Sequence, residues 1–214
     1  MLPQRTVTAG DTIELLVLAM SDGELLGVDC ASGSFVRAAD PGGPPLRPYD
    51  VVRLSVLGGE PSVWSPHAPE LVETTSSVAA AVGSVPVRRA ERWVRALVDP
   101  PGAELLGFRG PAVPFWTLRG ERPSMAIVRP AALSIRPSAA AGYRCLLEWR
   151  GQPYDLPLRD DRLLALLDER GAWRASGDAL AHLLGYRPER VLVALSAPVN
   201  GHCYKVAAGL LPAR

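Results

Sequence analysis

The most informative stretch of the chain is the strand-like run Val191-Leu-Val-Ala-Leu-Ser-Ala-Pro-Val-Asn-Gly-His-Cys-Tyr-Lys-Val-Ala-Ala-Gly-Leu-Leu211. Two apolar runs flank a polar insert at residues 200–205. An Asn-Gly pair between apolar runs is a strong signal for a β-hairpin, because both residues tolerate the left-handed backbone of a tight turn. The stretch therefore predicts two antiparallel strands that are joined near Asn200.

The polar insert collects residue types that are rare elsewhere in the chain. It holds the only lysine, beside 22 arginines, together with one of three histidines and one of three cysteines. Side chains alternate along a strand, so one face would carry His202 and Tyr204 and the other Cys203 and Lys205. The two rings could stack on a base, while an ammonium or amide reaches a phosphate or a base edge. The candidate binding residues of this hairpin are Asn200, His202, Tyr204 and Lys205.

A plainer interpretation of the hairpin stays open, in which Tyr204 packs in the core and Lys205 is solvated. A compact ammonium suits a narrow site that a planar guanidinium does not fit. We therefore expect Lys205→Arg to weaken ligand binding and to leave the melting temperature nearly unchanged. His202 and Cys203 point to opposite faces, which excludes a catalytic dyad between them.

Short strand-like runs extend outward from the hairpin over most of the chain. Turn signals recur at roughly ten-residue spacing, which is typical of a small barrel or sandwich. Two amphipathic patches at residues 160–170 and 176–185 predict helices. The predicted strands cover residues 11–19, 25–30, 33–37, 49–57, 115–118, 125–128, 133–135 and 143–149. We expect a mainly β fold with a few helices, of the α+β class.

The middle of the chain predicts a division into two β-rich units. Residues 74–85 are small and uncharged, and Pro86 could begin a helix that runs to Val98. We expect an N-terminal unit at 1–75, a connector and helix at 76–99, and a C-terminal unit with inserted helices at 100–214.

The net charge of +1 conceals an asymmetry between parts of the chain. Residues 1–75 hold 4 arginines against 10 acidic residues, whereas residues 76–150 hold 11 arginines against 5. The basic middle either binds a polyanion or docks on the acidic N-terminal third. The predicted helix carries four candidate polyanion contacts, Arg88, Arg89, Arg92 and Arg95, which on the alternative interpretation are an ordinary solvated face.

A second candidate site combines Trp116 with Arg119 and Arg122. Aromatic and guanidinium groups on a β-rich segment suit a single nucleic-acid strand, since stacking and phosphate contacts need no sequence code. The alternative is a core tryptophan beside surface arginines.

Several functional classes lack support in the sequence. The chain has no GxxxxGK[ST], GxGxxG, GxSxG or HExxH motif, so we expect no cofactor and no standard enzyme activity. Three distant cysteines without a CxxC pair argue against a disulfide framework or a zinc site. Asp160 and Asp161 are better explained as the start of a helix than as a metal site. The absence of a signal-peptide pattern, and of any apolar run of about 18 residues, predicts a cytoplasmic protein without a membrane partner.

The ending Leu195–Leu210 resembles the closing signature of the dual OB-containing domain proteins of prokaryotes, in which a strand ending in Ser leads through a Gly turn to a Cys-Tyr-Lys strand. Four further segments fall where that family has comparable elements, although this chain keeps only Arg122 where we expect an Asn-Asp-Arg run. These segments are Asp50–Val52, His67–Glu70, Trp116–Ser124 and Tyr143–Asp155. The resemblance implies two small OB-like barrels, here joined by the helix, and nucleic-acid binding by analogy.

Three functions therefore stay open at this point. The first is a non-enzymatic accessory protein that binds single-stranded or structured nucleic acid in a bacterial system. The second is an adaptor that contacts protein partners in a bacterial complex. The third is a small-ligand or nucleotide sensor, or an unfamiliar hydrolase, built around the hairpin.

Overall fold

A computed structural model describes residues 10–40, 42–57, 65–75, 81–120, 122–139, 142–171 and 174–213. Strand residues make up 47% of the described part of the chain and the α-helices are short, which confirms a mainly β fold with a few helices. Residues 1–9, 58–64 and 76–80 of the predicted units lie outside the described part. Within that part, no helix combines the length and apolar character needed to cross a bilayer.

The N-terminal half is one curved sheet of six strands. Strands β1, β2 and β3 form an antiparallel meander, and β4 pairs with the other edge of β1. Strand β6 continues the sheet beyond β4, so part of the predicted connector is a strand. The strands are β1 (Thr12–Ser21), β2 (Glu24–Asp29), β3 (Phe35–Ala39), β4 (Asp50–Ser55), β5 (Leu71–Val72) and β6 (Ala81–Ser84).

The first five strands of this half pair in a ring. Strand β5 runs parallel to β3, with Arg37 opposite Leu71. Just beyond β5, Thr74 forms an antiparallel bridge with Val56 at the end of β4. The pairing thus passes from β1 through β2, β3 and residues 71–75 to β4 and back to β1. It encloses an aliphatic core that includes Ile13, Leu15, Val17, Leu25, Val52 and Leu54.

The predicted helix over residues 86–98 lies between the halves. Helix α1 spans Val87–Val94, with Pro86 at its N-cap position, and a 3-10 turn follows at Arg95–Leu97. Because Pro86 has a fixed φ and no N–H, it suits a helix start.

The C-terminal half contains two four-stranded sheets, in the orders β11-β10-β9-β12 and β7-β14-β13-β8. Helix α2 (Asp161–Asp168) follows β11, and helix α3 (Gly177–Leu184) follows β12. The strands are β7 (Ala112–Pro114), β8 (Met125–Val128), β9 (Ala132–Ser138), β10 (Gly142–Trp149), β11 (Gln152–Pro157), β12 (Ala175–Ser176), β13 (Pro188–Leu195) and β14 (His202–Pro212).

Two local expectations in this half are wrong. Residues 115–118 are not a strand, since Phe115–Thr117 is a 3-10 helix. The Thr117 hydroxyl donates to the Pro114 carbonyl, which closes this turn. The run Gly151-Gln-Pro-Tyr-Asp155 predicts a turn, but the turn is confined to Arg150 and Gly151, after which β11 begins.

The two sheets of the C-terminal half form a ring in which strand pairing is interrupted between β8 and β9, where the chain alone connects them. Strands β9, β10 and β11 form an antiparallel meander, and Leu158 after β11 makes a parallel bridge to Ala207 in β14. Strand β14 pairs with β13, and β13 pairs with β8, which leads directly into β9. The ring encloses an aromatic and aliphatic core whose buried members include Tyr143, Leu147, Trp149, Leu163, Leu180 and Leu210.

The two halves share a further core along their common seam. Leu16 and Leu18 of β1 pack with Leu192 and Val206 of the C-terminal half, and α1 contributes Val94. Strands β1 and β14 approach so closely that a Cβ built at Gly209 would lie 2.6 Å from the Cβ of Ala19. The predicted units are therefore joined by buried apolar contact as well as by the helix.

Candidate functional surface and cleft

The predicted hairpin turn is present between β13 and β14. Asn200 and Gly201 have φ values of 50° and 77°, and Val199 and His202 exchange two backbone hydrogen bonds of 2.8 and 3.0 Å. Positive φ at both central residues is the geometry of a type I′ turn, which the Asn-Gly pair favours. The turn thus presents the Asn200 side chain at the surface.

The indole of Trp116 lies on this turn and is 62% exposed. A Cβ at Gly201 would lie 3.0 Å from Cζ3 of Trp116, so a larger residue there would press on the ring. The His202 ring meets the indole edge-on at 5.7 Å between centroids. We call Trp116, Val199, Asn200, Gly201 and His202 the Trp116 platform. Two of the four predicted hairpin residues therefore join the predicted tryptophan.

Backbone and side-chain bonds hold this platform in place. The Phe115 N–H donates to the Gly201 carbonyl over 2.9 Å, which ties the 3-10 helix to the turn. The exposed Arg119 guanidinium donates to the carbonyl of Trp116 over 2.8 Å. These bonds fix the backbone on both sides of the indole, so the ring is presented on a preorganised support.

The N-terminal half anchors the chain just before the turn. Arg37 of β3 is buried and donates to the carbonyls of Leu195 and Ser124 over 3.1 and 3.2 Å. Glu70 accepts from both the N–H and the hydroxyl of Ser124 over 2.7 Å. The loop that carries the platform is therefore braced by charged groups from the other half.

His67 lies next to this brace, with its ring 5.7 Å from that of Phe115. Burial lowers the pKa of His67, and the charge of Arg37 lowers it further. A neutral imidazole that packs on an aromatic ring fits a structural role.

Lys205 lies on the opposite face of β14 and is only 1% exposed. Its ammonium donates to the Phe108 carbonyl over 2.6 Å and sits 4.0 Å from the centroid of the Phe108 ring. Burial lowers the pKa of Lys205 to about 8, although Glu104 acts in the other direction. The interpretation of Lys205 as a solvated residue is wrong. The expectation that Lys205→Arg leaves the melting temperature unchanged also loses its basis, because a larger guanidinium would have to replace an ammonium that is bonded to Phe108.

Two further predicted residues, Tyr204 of the hairpin and Arg122 of the second candidate site, lie apart from the platform. Tyr204 is half-buried and packs against the core shared by the two halves. The exposed Arg122 donates to the Gly107 carbonyl over 2.8 Å and so braces the loop that covers Lys205.

The three arginines of α1 and Arg95 in the 3-10 turn after it are all exposed, while Ala90 and Val94 face the core. Arg92 stacks on Trp93, with its guanidinium carbon 3.6 Å from the ring centroid. Among the described residues, no ion pair links Arg88, Arg89, Arg92 or Arg95 to an acidic side chain. These four arginines thus form no ion pair with the acidic N-terminal third in the described structure, although Trp93 of the same helix donates to the Cys30 carbonyl over 2.8 Å.

Other reactive groups are buried in structural roles. Asp160 is the N-cap of α2, where its carboxylate accepts from the N–H groups of Leu163 and Leu210, and burial raises its pKa to about 6. Burial raises the pKa of the Cys145 thiol to about 12, and that of Cys203 also rises. Within the described ranges, no three His, Cys, Asp or Glu side chains cluster as metal ligands.

Comparison of the chain with protein-family models, curated proteins and solved structures finds no match.

Proposed function

We propose that this protein binds single-stranded nucleic acid without catalysis, as an accessory protein, and that the Trp116 platform is the contact surface. The observation that carries the proposal is the 62% exposed indole, held by Gly201 and His202. Stacking of a base on an aromatic side chain contributes about 1–3 kcal/mol and tolerates any sequence. A fixed, exposed ring gains this energy without first being ordered.

Charge near the platform favours a polyanion. Arg119 is bonded to the Trp116 carbonyl and is exposed, and Arg122, farther along the same loop, is exposed as well. Each guanidinium uses part of its donor set on carbonyls, which holds it in place and leaves other N–H groups for phosphate. The surplus of arginine over acidic residues across positions 76–150 adds a favourable field.

The strand pairing of both halves supports the inference that each is an OB-like barrel, as the resemblance to the dual OB-containing family implies. In such five-stranded Greek-key barrels, nucleic acid lies along strands 2 and 3 and against the loops after strands 1 and 4. In the C-terminal ring, β8 with β9 is the first strand and β13 is the fourth. Residues 196–201, which include most of the Trp116 platform, are then the loop after strand 4.

A protein partner is the alternative occupant of the same surface, because Trp116 and the 52% exposed Val199 also offer apolar contact. Binding to nucleic acid is distinguished by its salt dependence, since displaced counterions weaken it as ionic strength rises.

Fluorescence anisotropy with a labelled oligothymidylate tests the proposal. Trp116→Ala should weaken binding by about 5- to 150-fold, which corresponds to one lost stacking contact. Leu57→Ala is the matched control, because Leu57 is a 53% exposed apolar residue outside the platform. Binding by the wild type should also weaken steeply with salt.

Two further results would decide against the platform or refine it. Unchanged binding by Trp116→Ala, or no saturable binding by the wild type, would contradict the proposal. Retention of a partner protein by the wild type but not by Trp116→Ala would favour the adaptor function instead. Replacing Arg88, Arg89, Arg92 and Arg95 together by Glu shows whether the α1 face adds phosphate contacts.

A further inference from the structure

Strands β11 and β14 separate next to Lys205 and leave a cleft. The two strands are bridged at Leu158 and Ala207, but nearer the start of β14 Tyr204 pairs with Ala112 of β7 instead. The resulting cleft has a volume of about 590 Å³, within the range of sites for small molecules.

The cleft combines two aromatic rings with a few polar groups. The Lys205 ammonium lies 4.0 Å from the Phe108 ring centroid and 5.8 Å from that of Tyr154. Glu104 and Arg109 form an ion pair of 2.9 Å at the same cleft. The Gln152 side chain belongs to the same lining and can both donate and accept.

The Lys205 ammonium has unused capacity to donate. It carries three N–H groups, and among the described residues the Phe108 carbonyl is the one acceptor bonded to it. The nearby carboxylates are engaged elsewhere, because Glu104 pairs with Arg109, and Asp155 pairs with Arg136 and Arg144. A buried ammonium that lacks acceptors costs free energy, and an incoming oxygen atom would offset that cost.

We propose that this cleft binds the base of a nucleotide, with a base carbonyl oxygen accepting from Lys205 and the ring lying against Phe108 and Tyr154. The two aromatic rings beside the ammonium favour a planar base over a bare phosphate group. Guanine and uracil carry a carbonyl oxygen, whereas adenine has none, so Lys205 would distinguish between them. The site goes beyond strand binding at the Trp116 platform and does not depend on it.

Calorimetric titration with nucleoside monophosphates tests the proposal. The wild type should bind guanosine or uridine 5′-monophosphate, bind adenosine 5′-monophosphate about tenfold more weakly, and not bind ribose 5-phosphate. Lys205→Met should weaken the binding of the carbonyl-bearing nucleotide by at least about tenfold, because it removes a charged donor. Trp116→Ala should bind these nucleotides as the wild type does.

Chemical labelling of the wild type gives a second readout that needs no folded variant. Lys205 is the only lysine, so mild acetylation can modify only its amine and the N-terminal amine. A bound nucleotide should slow acetylation of Lys205, measured by mass spectrometry, and leave the rate at the N-terminus unchanged.

The source of the base follows from comparing ligands in the same labelling experiment. Protection by the mononucleotide identifies a free nucleotide as ligand, and protection by an oligonucleotide alone identifies a base within a strand. The proposal is overturned if neither protects Lys205, if ribose 5-phosphate binds as well as the nucleotides, or if Lys205→Met binds like the wild type. Loss of oligonucleotide binding in Trp116→Ala, with nucleotide binding intact, separates this site from the platform.

Discussion

The two halves of the molecule are both built mainly of curled antiparallel sheets, yet they use buried charge differently. In the N-terminal half, Asp29 accepts from the backbone of Ala31 and Ser32, and Arg37 is bonded to carbonyls across the seam. In the C-terminal half, Asp160 accepts from two backbone N–H groups, but Lys205 faces a cleft with donors to spare. The N-terminal half thus braces the loop that carries the platform, whereas the C-terminal half holds the residues of both proposed sites.

Arg37→Met tests the supporting role most severely. The change removes the donor to two buried carbonyls at the seam and the partner of Glu24, which lies 3.1 Å away. Urea denaturation should show a loss of about 3 kcal/mol in the free energy of unfolding, because buried acceptors are left unpaired.

Arg53→Met is the matched control for this prediction. Arg53 pairs with Glu14 at 2.8 Å, but both side chains are more than half exposed. An exposed pair of this kind contributes roughly 0–1 kcal/mol. Equal losses in the two variants would contradict the view that Arg37 braces the seam.

Asp160→Ala tests whether the buried carboxylate of the C-terminal half has a purely structural role. It removes the α2 N-cap and leaves the Leu210 N–H without its acceptor at 3.0 Å. The expected loss is about 2 kcal/mol of unfolding free energy, with the nucleotide affinity unchanged. Asp168→Ala, at the exposed end of the same helix, is the control and should have little effect on stability. A change in nucleotide affinity for Asp160→Ala would contradict a purely structural role of this carboxylate.

Lys205→Met should give the smallest effect on stability, visible as a dependence on pH. The folded pKa of Lys205 is lowered to about 8 from 10.5, so between these values the unfolded chain binds more protons. The unfolding free energy of the wild type should therefore rise from pH 8 to pH 10, relative to Lys205→Met, by on the order of 1 kcal/mol. If the unfolding free energies of the two proteins change in parallel with pH, the Lys205 ammonium is in contact with water. That result would contradict the difference proposed between the two halves.

Local patterns in the sequence predict much of the fold. The Asn200-Gly201 turn, the β-rich class and the helix after Pro86 follow from backbone preferences of a few adjacent residues. The apolar run at residues 15–19 predicts a buried strand, and β1 is indeed covered on both faces by the cores to which Leu15 and Leu16 belong. The error at residues 115–118 arose because Phe, Trp and Thr favour strands, while the bond from Thr117 to Pro114 decides the local structure.

The candidate sites were only partly predictable, because they join distant parts of the chain. The sequence indicates Trp116 and the hairpin residues as two separate candidate sites, and only the fold shows that they touch. Phe108 and Tyr154 carry no signal in the sequence, and Phe108 lies 97 positions before the lysine that it covers. Alternation along β14 placed Lys205 opposite His202, but which face is buried depends on what packs there.

The contact at Gly209 bears on how the molecule would move. A single added methyl group would collide with Ala19, so the strands meet almost backbone to backbone. Sliding or hinging of one half against the other would have to open the apolar seam around Leu16 and Val206. The distance between the two halves is thus fixed. A flexible polymer that bound to both halves would have to bend to match that distance, because the protein would not.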